Sequence, residues 1–294
     1  MPAWTRVFAT SDARITGGAV GMILTLALVV VAIFAGSIAP MDPFASVGPP
    51  LAPPSRANVL GTDDLGRDLL AGIVHGARTS LMVVLSVTAL TAVIGMTIGA
   101  VAGYRTGTTD DVLMRLTELV QVIPRFFLAV LVVALFGPGL DRLVLVLGLT
   151  SWPAIARVVR AETLSLARRE FVDAAHALGV PAGRVLMRHI LPNALPAAVV
   201  VISVNAGTVI LMEAGLGFIG LGDPRVISWG YLANNAQRFL RVAWWMALFP
   251  GLAIALAVLG MNLLGDALND LRDPRIRGRA RRSPPGSVNS VRTR

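Results

Sequence analysis

Lysine and cysteine are missing from this chain of 294 residues, and charged residues make up only 15% of it. All 26 basic residues are arginine, so the chain has no lysine to bind the phosphates in a P-loop and none to form a Schiff base. Without cysteine it has no disulfide, thiol nucleophile, iron–sulfur ligand or cysteine zinc site. The chain therefore cannot hydrolyse ATP as a P-loop enzyme by itself.

Histidine is also scarce. The three histidines, His75, His176 and His189, are far apart and show no HExxH spacing. This argues against metal catalysis, and we predict no metal ligands in the chain.

Hydrophobic residues make up 55% of the sequence, which is typical of a membrane protein. A bilayer core of about 30 Å requires about 20 apolar residues in a helix. Charge-free runs of this size occupy residues 15–41, 79–104, 189–212 and 242–265. Two further spans are predicted at 116–137 and at 143–156, the second continuing as helix beyond Arg157. The sequence thus predicts an all-α, polytopic membrane protein with six transmembrane helices.

The arginines indicate how the spans are oriented. If the N-terminus is inside, 18 arginines fall on inner segments and seven on outer ones, which favours both termini in the cytoplasm. We expect a cytoplasmic segment 1–14 that places Trp4, Val7 and Phe8 on the membrane surface, a membrane domain 15–268, and a basic cytoplasmic tail 269–294. The first run is longer than the apolar region of a signal peptide, so it is predicted to be an uncleaved span. Beside a membrane, the tail is expected to contact anionic lipid and not nucleic acid.

The outer loop 40–78 is rich in proline and glycine and contains one dense motif. The motif reads Gly61, Thr62, Asp63, Asp64, Leu65, Gly66, Arg67 and Asp68. It predicts a helix start capped by Thr62 or Asp63, with Arg67 ion-paired to the acidic residues. A metal site made by Asp63, Asp64 and Asp68 is the alternative, weakened because Arg67 competes for the same carboxylates.

The largest cytoplasmic loop, 157–195, is predicted to be a helical hairpin. Residues 161–178 have no internal glycine or proline, Gly179 and Pro181 signal a stop and a new helix, and the segment Leu191-Pro192-Asn193 is expected to end that second helix. Asp173, Ala174, Ala175 and Gly179 make a surface of small residues that another protein can approach closely. An ordinary cytoplasmic connection is the alternative.

This loop resembles a known motif. Asp173-Ala174-Ala175, three residues, Gly179, nine residues and then His189-Ile190-Leu191-Pro192 is similar to the EAA loop of bacterial ABC importer permeases, with Asp173 in place of Glu and His189 in place of Ile. The 61–68 motif, residues 213–222 and Ser228-Trp229-Gly230 resemble the dipeptide/oligopeptide/nickel branch, and their order resembles the DppC/OppC type. The resemblance covers residues 15–274.

The resemblance implies the type I ABC importer permease fold and a non-catalytic subunit of the bacterial cytoplasmic membrane. Such a subunit forms half of a translocation pathway with a second homologous permease, in a heterodimer. Two ATPase subunits or domains use ATP and Mg, an extracytoplasmic substrate-binding protein delivers the solute, and the permease itself binds no cofactor. The implied ATPase-coupling residues are Asp173, Ala174, Ala175, Gly179, Leu191 and Pro192. Peptides are favoured over nickel because the chain has no His or Cys cluster.

Charged residues within predicted spans are candidates for the pathway. Glu118 and Arg125 are seven residues apart, so one continuous helix would place them on one face with Gln121 between them. They are expected to line the pathway or contact the partner permease, or alternatively to reach the headgroups from opposite ends of a tilted span. Glu213 stands beside several glycines at the outer end of the fifth span, where helix packing is favoured over a direct substrate role.

Three other functions compete with this interpretation. A secondary transporter would need no ATPase but often shows inverted repeats, and none is evident. An assembly subunit would have no transport path. An intramembrane hydrolase using Ser203 and His189 lacks a Gly-x-Ser-x-Gly motif.

Overall fold

The computed structural model describes residues 11–270, with side chains from residue 16 onward. The predicted surface segment around Trp4, Val7 and Phe8, and the basic tail from Arg272, lie outside these residues. Within the described range the backbone is helical and contains two isolated β-bridges but no strand. The predicted all-α fold class is confirmed.

The described residues form twelve α-helices. In chain order they are α1 Ser11–Ile33, α2 Ala35–Ile38, α3 Leu69–Arg105, α4 Thr108–Val122, α5 Arg125–Phe136, α6 Leu140–Ser151, α7 Pro153–Ala167, α8 Glu170–Ala177, α9 Ala182–Val185, α10 Leu191–Phe218, α11 Trp229–Ala236 and α12 Trp245–Asp270. A π-helical turn, Leu186–Ile190, joins α9 to α10, and a 3₁₀ turn, Gln237–Phe239, follows α11.

Five helical segments of the described chain are long and apolar enough to cross a bilayer. They are Thr16–Ile33, Leu69–Arg105, Leu140–Ala167, Ala182–Phe218 and Trp245–Asp270. Helices α4 and α5 provide a sixth span only as a pair bent by 71°. The six-span prediction is therefore confirmed, with the third span broken.

The outer loop is shorter than predicted. Helix α3 begins at Leu69 and not near residue 79, so His75 and Arg78 belong to its first turns. There His75 Nε2 lies 2.9 Å from the Ala39 carbonyl oxygen, which connects α3 to the end of the first span. The loop therefore ends at Asp68.

The hydrophobic effect does not drive helices together inside a membrane, because lipid tails are as apolar as the side chains of the helices. Helix contacts within the membrane domain depend instead on close approach of the backbones. Three glycines of α3, spaced four residues apart, lie on one face of the helix and pack against α7. They are Gly95, Gly99 and Gly103. The α7 residues that they meet are Ile155, Val159 and Thr163, all buried. Helices α3 and α7 thus form one tightly packed unit, while α12 packs against both α1 and α10.

The connecting segments gather at the two ends of the bundle. At one end, residues 40–68 pack with α11 and the start of α12 around Leu232, Ala236 and Trp245. At the other end, the last turn of α3 meets α8 and α9 around Val172, Val185 and Ile190. The segments predicted to be outer and inner therefore lie at opposite ends of the helices.

Candidate coupling and translocation sites

The helical hairpin predicted for the cytoplasmic loop is present, but its first helix is interrupted. Helix α7 ends at Ala167, Arg169 is extended with φ −86° and ψ 143°, and α8 starts at Glu170. Acidic side chains in the first turn, Glu170 and Asp173, favour this new start because they face the positive end of the helix dipole. The prediction of one helix over residues 161–178 was therefore wrong.

Gly179 makes the turn of the hairpin. Its φ is +74°, a left-handed conformation that glycine adopts without steric cost. The Gly179 N–H donates to the His176 carbonyl (2.9 Å) and the Val180 N–H donates to the Ala175 carbonyl (3.1 Å), which closes the end of α8. Pro181 then precedes α9, as the sequence predicts.

The hairpin buries one face and exposes the other. Val172, Val185 and Ile190 are fully buried between its helices and the end of α3. On the opposite face Asp173, Ala174 and Gly179 are exposed, whereas Ala175 is partly buried against Val172 and Val185. Leu178 is 84% exposed at the tip. The hairpin therefore presents a small, partly apolar surface away from the bundle.

A ring contact attaches the hairpin to α3. The rings of Tyr104 and His176 are stacked with centroids 6.4 Å apart, and the Tyr104 hydroxyl lies 3.1 Å from His176 Nε2. The two residues are 72 positions apart in the chain. The sequence does not indicate this pair, since neither residue belongs to a recognisable spacing.

The expected break at Leu191-Pro192-Asn193 does not occur. The chain stays helical from Ala182 to Phe218 because the π turn at Leu186–Ile190 changes the hydrogen-bond register: the Leu191 N–H donates to the Leu186 carbonyl. Pro192 then falls in the first turn of α10, where a missing N–H is tolerated. The hairpin and the fifth span are thus one continuous helical segment.

The prediction for Glu118, Gln121 and Arg125 requires a correction. Glu118 and Gln121 lie on α4, whereas Arg125 begins α5, and the two helices are bent by 71°. Ile123 is extended (ψ 120°) because the ring of Pro124 disfavours the helical conformation of the residue before it. The seven-residue spacing therefore does not place Glu118 and Arg125 on one face of one helix.

An ion pair connects α4 to α7, and the sequence did not predict it. Arg160 Nε and Nη2 donate to the two carboxylate oxygens of Asp110 at 2.5 and 2.6 Å. This is the bidentate geometry that makes arginine–carboxylate pairs strong. Asp110 opens α4 and looks like a helix-start residue in the sequence, so nothing in its neighbourhood indicates a partner 50 residues away.

In the outer motif, the side chain that caps α3 is that of Asp68, not Thr62 or Asp63. Asp68 Oδ2 accepts from the Ala71 N–H at 3.0 Å. Asp63 closes a turn, since its Oδ1 accepts from the N–H groups of Leu65 (2.9 Å) and Arg67 (2.8 Å). Burial raises the pKa of Asp63 above its ordinary value, although both backbone hydrogen bonds act in the opposite direction.

Arg67 contacts aromatic side chains and not the neighbouring carboxylates. Its guanidinium carbon lies 5.1 Å from the centre of the Phe44 ring, and Nη1 donates to the Tyr231 hydroxyl at 3.4 Å. The predicted ion pair with the acidic residues is therefore wrong. The contact with Tyr231 connects the outer loop to α11.

Gly61 and Gly66 allow the outer loop to fold tightly. Both have positive φ, +82° and +74°, and a Cβ on Gly61 would lie 2.8 Å from Trp245 Nε1. The same indole N–H donates to the Thr62 carbonyl at 3.1 Å. We call α11 together with residues 40–68 the outer plate, because the contact of Arg67 with Tyr231 and the shared apolar cluster around Leu232 and Ala236 join them into one surface layer.

Glu213 is buried inside the bundle. Only 3% of the residue is exposed, and its Oε2 accepts from the Ser80 hydroxyl of α3 at 3.0 Å. The Ser228 side chain at the start of α11 lies beside the same carboxyl. This burial favours the packing interpretation of Glu213.

No group of three His, Asp or Glu side chains among the described residues is placed to hold a metal ion. In the outer motif, backbone N–H groups already occupy carboxylate oxygens of Asp63 and Asp68.

Comparisons with known proteins agree with the fold. Residues 95–278 match the family described as "Binding-protein-dependent transport system inner membrane component". The dipeptide transport system permease protein DppC of Alkalihalophilus pseudofirmus is 37% identical over 261 residues, covering 88% of this chain and 86% of that protein. The di/tripeptide transport system permease protein DppC of Pseudomonas aeruginosa is 36% identical over 95% of both chains. The oligopeptide transport system permease protein OppC of Bacillus subtilis is 33% identical over 88% of this chain and 85% of that protein.

The matched region includes the helical hairpin, the residues of the broken third span and Glu213. The similarity to the Pseudomonas aeruginosa protein covers 95% of this chain and so also includes the outer motif. These matches do not favour a secondary transporter. The chain belongs to the inner-membrane components of binding-protein-dependent transport systems and is similar over most of its length to permease subunits named for dipeptide, di/tripeptide and oligopeptide transport.

Proposed function

We propose that this chain pairs with a second, homologous permease subunit and that the two together form the pathway of an ATP-driven peptide importer. The chain catalyses no reaction and binds no cofactor. Two ATPase subunits or domains use ATP and Mg, and an extracytoplasmic binding protein delivers the substrate. The arginine distribution supports placing residues 1–14 and the tail 269–294 on the cytoplasmic side, where the tail contacts lipid.

The exposed face of the coupling hairpin is the observation that supports the proposal most strongly. Leu178 is 84% exposed at the tip, next to Ala174 and Gly179, whose small side chains allow another protein to approach closely. An apolar side chain of this size gains about 1.5–3 kcal/mol when it is buried. A cleft in an ATPase subunit would bury Leu178 and the adjoining small residues.

The hairpin also has mechanical connections to the membrane helices. It is tied to α3 by Tyr104 and His176, and it runs into α10 through the π turn without a break. A displacement of the hairpin by closing ATPases would therefore shift both helices, as alternating access requires. Asp173, Ala174, Ala175, Gly179, Leu191 and Pro192 are the proposed coupling residues on this path.

The broken third span supports a role for Glu118, Gln121 and Arg125 in the pathway. A break in the helix frees backbone groups, and at membrane depth these are tolerated only against protein or beside a water-filled cavity. We infer that the break at Ile123 and Pro124 faces the partner permease or the pathway between the two subunits.

Peptides are the proposed substrate class. The three relatives described above are named as dipeptide, di/tripeptide and oligopeptide permeases. The alternative, a nickel permease, receives no support from the acidic outer motif, because the Asp63 carboxylate accepts hydrogen bonds from the loop and the Asp68 carboxylate caps α3.

The test begins with purification of the tagged protein from its native membrane in mild detergent, followed by mass spectrometry of the proteins that accompany it. The complex is then reconstituted in vesicles, and ATP hydrolysis and uptake of labelled peptides are measured together. Gly179→Asp places a charge on the docking face. Gly107→Asp is the matched control, since Gly107 also has positive φ (+63° against +74°) and both have open space around the position of a Cβ.

We expect a second permease and two ATPase subunits or domains to accompany the wild-type chain. Gly179→Asp should reduce ATPase recovery and peptide uptake at least about tenfold, the effect of 1.4 kcal/mol, while Gly107→Asp should not. Normal assembly and uptake by Gly179→Asp would contradict the coupling role. Recovery of the chain alone, from an extraction that preserves other complexes, would make a secondary transporter the next hypothesis.

A further inference from the structure

Three parts of the chain meet at Glu213, near the outer end of α10. Ser80 of α3 donates its hydroxyl to the carboxyl at 3.0 Å, and Ser228, which caps α11, lies beside the same carboxyl. The Ser228 hydroxyl oxygen accepts from the Tyr231 N–H at 3.3 Å. The Glu213 carboxyl thus lies where α10, α3 and α11 meet.

The backbones around this junction leave no room for an intervening side chain. A Cβ on Gly217 of α10 would lie 2.8 Å from the Cα of Gly230 in α11, and a Cβ on Gly76 of α3 would lie 3.0 Å from Trp229. The Trp229 indole N–H donates to the Ile73 carbonyl of α3 at 3.0 Å. Helix α11 is therefore held against both α3 and α10 by direct contact.

The junction has an energetic consequence. Moving α10 away from α3 would remove the Ser80 hydroxyl from the carboxyl of Glu213, a residue that is only 3% exposed. A buried polar group left without a hydrogen bond is costly, and a charged one is more so. The carboxyl therefore opposes a separation of α3 and α10 at the level where α11 packs against both.

We propose that Glu213 is a positioning residue that fixes the outer plate to α3 and α10, so that these parts move as one rigid body while the hairpin transmits ATP-driven motion. The contacts of Arg67 with Tyr231 and of Trp245 with Thr62 extend this body to the outer loop. The surface offered to the binding protein is then preformed and keeps its shape through the transport cycle. The inference rests on the proposed importer function.

The experiment measures the distance across the junction in the assembled transporter. Spin labels are attached to cysteines introduced at Arg78 of α3 and Arg238 after α11, both exposed. The chain has no native cysteine, so only accessible cysteines of the other subunits need replacement. Distances are recorded without nucleotide and in an ATP-trapped state, and the ratio of peptide uptake to ATP hydrolysis is measured in parallel.

The variants separate the carboxyl from general packing. Glu213→Ala removes the carboxyl and its hydrogen bond with Ser80, Glu213→Gln retains an acceptor oxygen, and Ser80→Ala removes the donor. Thr91→Val is the matched control, because Thr91 is equally buried in α3 but its hydroxyl donates only to the Val87 carbonyl of the same helix. If Glu213→Ala fails to fold, Ser80→Ala still tests the junction.

In the wild type we expect one narrow distance distribution whose centre shifts by less than about 2 Å between the two states, as in a rigid interface. Glu213→Ala and Ser80→Ala should broaden it, and Glu213→Ala should lower the uptake-to-hydrolysis ratio about fivefold or more. Glu213→Gln should keep most of the uptake-to-hydrolysis ratio that Glu213→Ala loses. Thr91→Val should have the same distance distribution and ratio as the wild type.

The proposal is overturned if the distance distribution stays narrow in both Glu213→Ala and Ser80→Ala, or if Thr91→Val broadens it equally. It is also overturned if the wild-type distance shifts by more than about 2 Å between the two states. Failure of the importer function is distinguishable from these outcomes. If the wild-type complex lacks ATP-driven uptake, the proposed function fails, while the distances without nucleotide still report whether Glu213 holds α11 in place.

Discussion

Replacing Gly103 with alanine tests whether helices α3 and α7 are held together by close backbone approach. A Cβ at this position would lie 2.6 Å from the Arg160 carbonyl oxygen and 2.7 Å from Thr163 Cβ. Both atoms belong to α7, and one of them is backbone, which cannot turn aside as a flexible side chain can. The helices must therefore move apart to accept one methyl group.

The size of the effect follows from the geometry. Ordinary van der Waals contact begins at 3.4 Å, so the Cβ would be about 0.8 Å too close to the carbonyl oxygen and overpacking of this kind costs about 1–3 kcal/mol. Alanine also favours a helix over glycine by about 0.8–1 kcal/mol, which partly hides the steric cost. The control must therefore be a Gly→Ala substitution that has the same gain in helix propensity but no steric clash.

Gly251 provides the control. It lies within α12, and a Cβ there would meet no atom within 4 Å. Gly251→Ala should leave stability unchanged or raise it, and the difference between the two variants isolates the steric cost of about 1–3 kcal/mol. At about 2–4 °C per kcal/mol for a domain of this size, Gly103→Ala should melt roughly 2–12 °C below Gly251→Ala.

The assay is thermal unfolding of the purified variants in one detergent, followed by size-exclusion chromatography of the heated samples. Equal melting temperatures for Gly103→Ala and Gly251→Ala would refute the argument that the close α3–α7 contact limits the stability of the domain.

Two further predictions concern charged groups. A double-mutant cycle of Asp110→Asn and Arg160→Gln should give a coupling energy of about 1.5–3 kcal/mol in thermal stability, because the pair makes two hydrogen bonds between charged groups. A coupling energy near zero would show that the ion pair does not stabilise the packing of α4 against α7. For Asp63, burial raises the folded pKa above the ordinary value of 3.8, so its contribution to stability is full below that value and is lost as the pH rises through the folded pKa. The melting temperature of the wild type, compared with that of Asp63→Asn, should therefore fall as the pH rises above 3.8, and a relative rise would show that the sign is wrong.

The sequence predicted the spans well because bilayer thickness imposes a length that a charge-free run displays directly. It also predicted the turn at Gly179, since a glycine followed two residues later by proline is a local signal for the end of one helix and the start of another. These features depend on residues that are close together in the chain.

Helix continuity was harder to predict. Pro124 and Pro192 both suggest a break, but only the first produces one, because the π turn before Leu191 changes the hydrogen-bond register ahead of Pro192. The interruption at Arg168 has no glycine or proline to indicate it.

The site contacts lay beyond the reach of sequence patterns. Tyr104 and His176 are 72 residues apart, and Ser80 and Glu213 are 133 apart. No periodicity relates residues at such separations, so only the packed helices show which side chains meet.

By itself, the sequence determined that this chain spans a membrane, lacks the lysine of a P-loop ATPase and carries an EAA-type hairpin, because composition and local spacing are properties of the chain. The tertiary structure decided that the third span is broken, that Asp68 and not Asp63 caps α3, and that Glu213 joins three helices inside the bundle. Helix packing made these choices, since it brings distant residues within hydrogen-bonding distance and sets which backbone groups must find partners away from water.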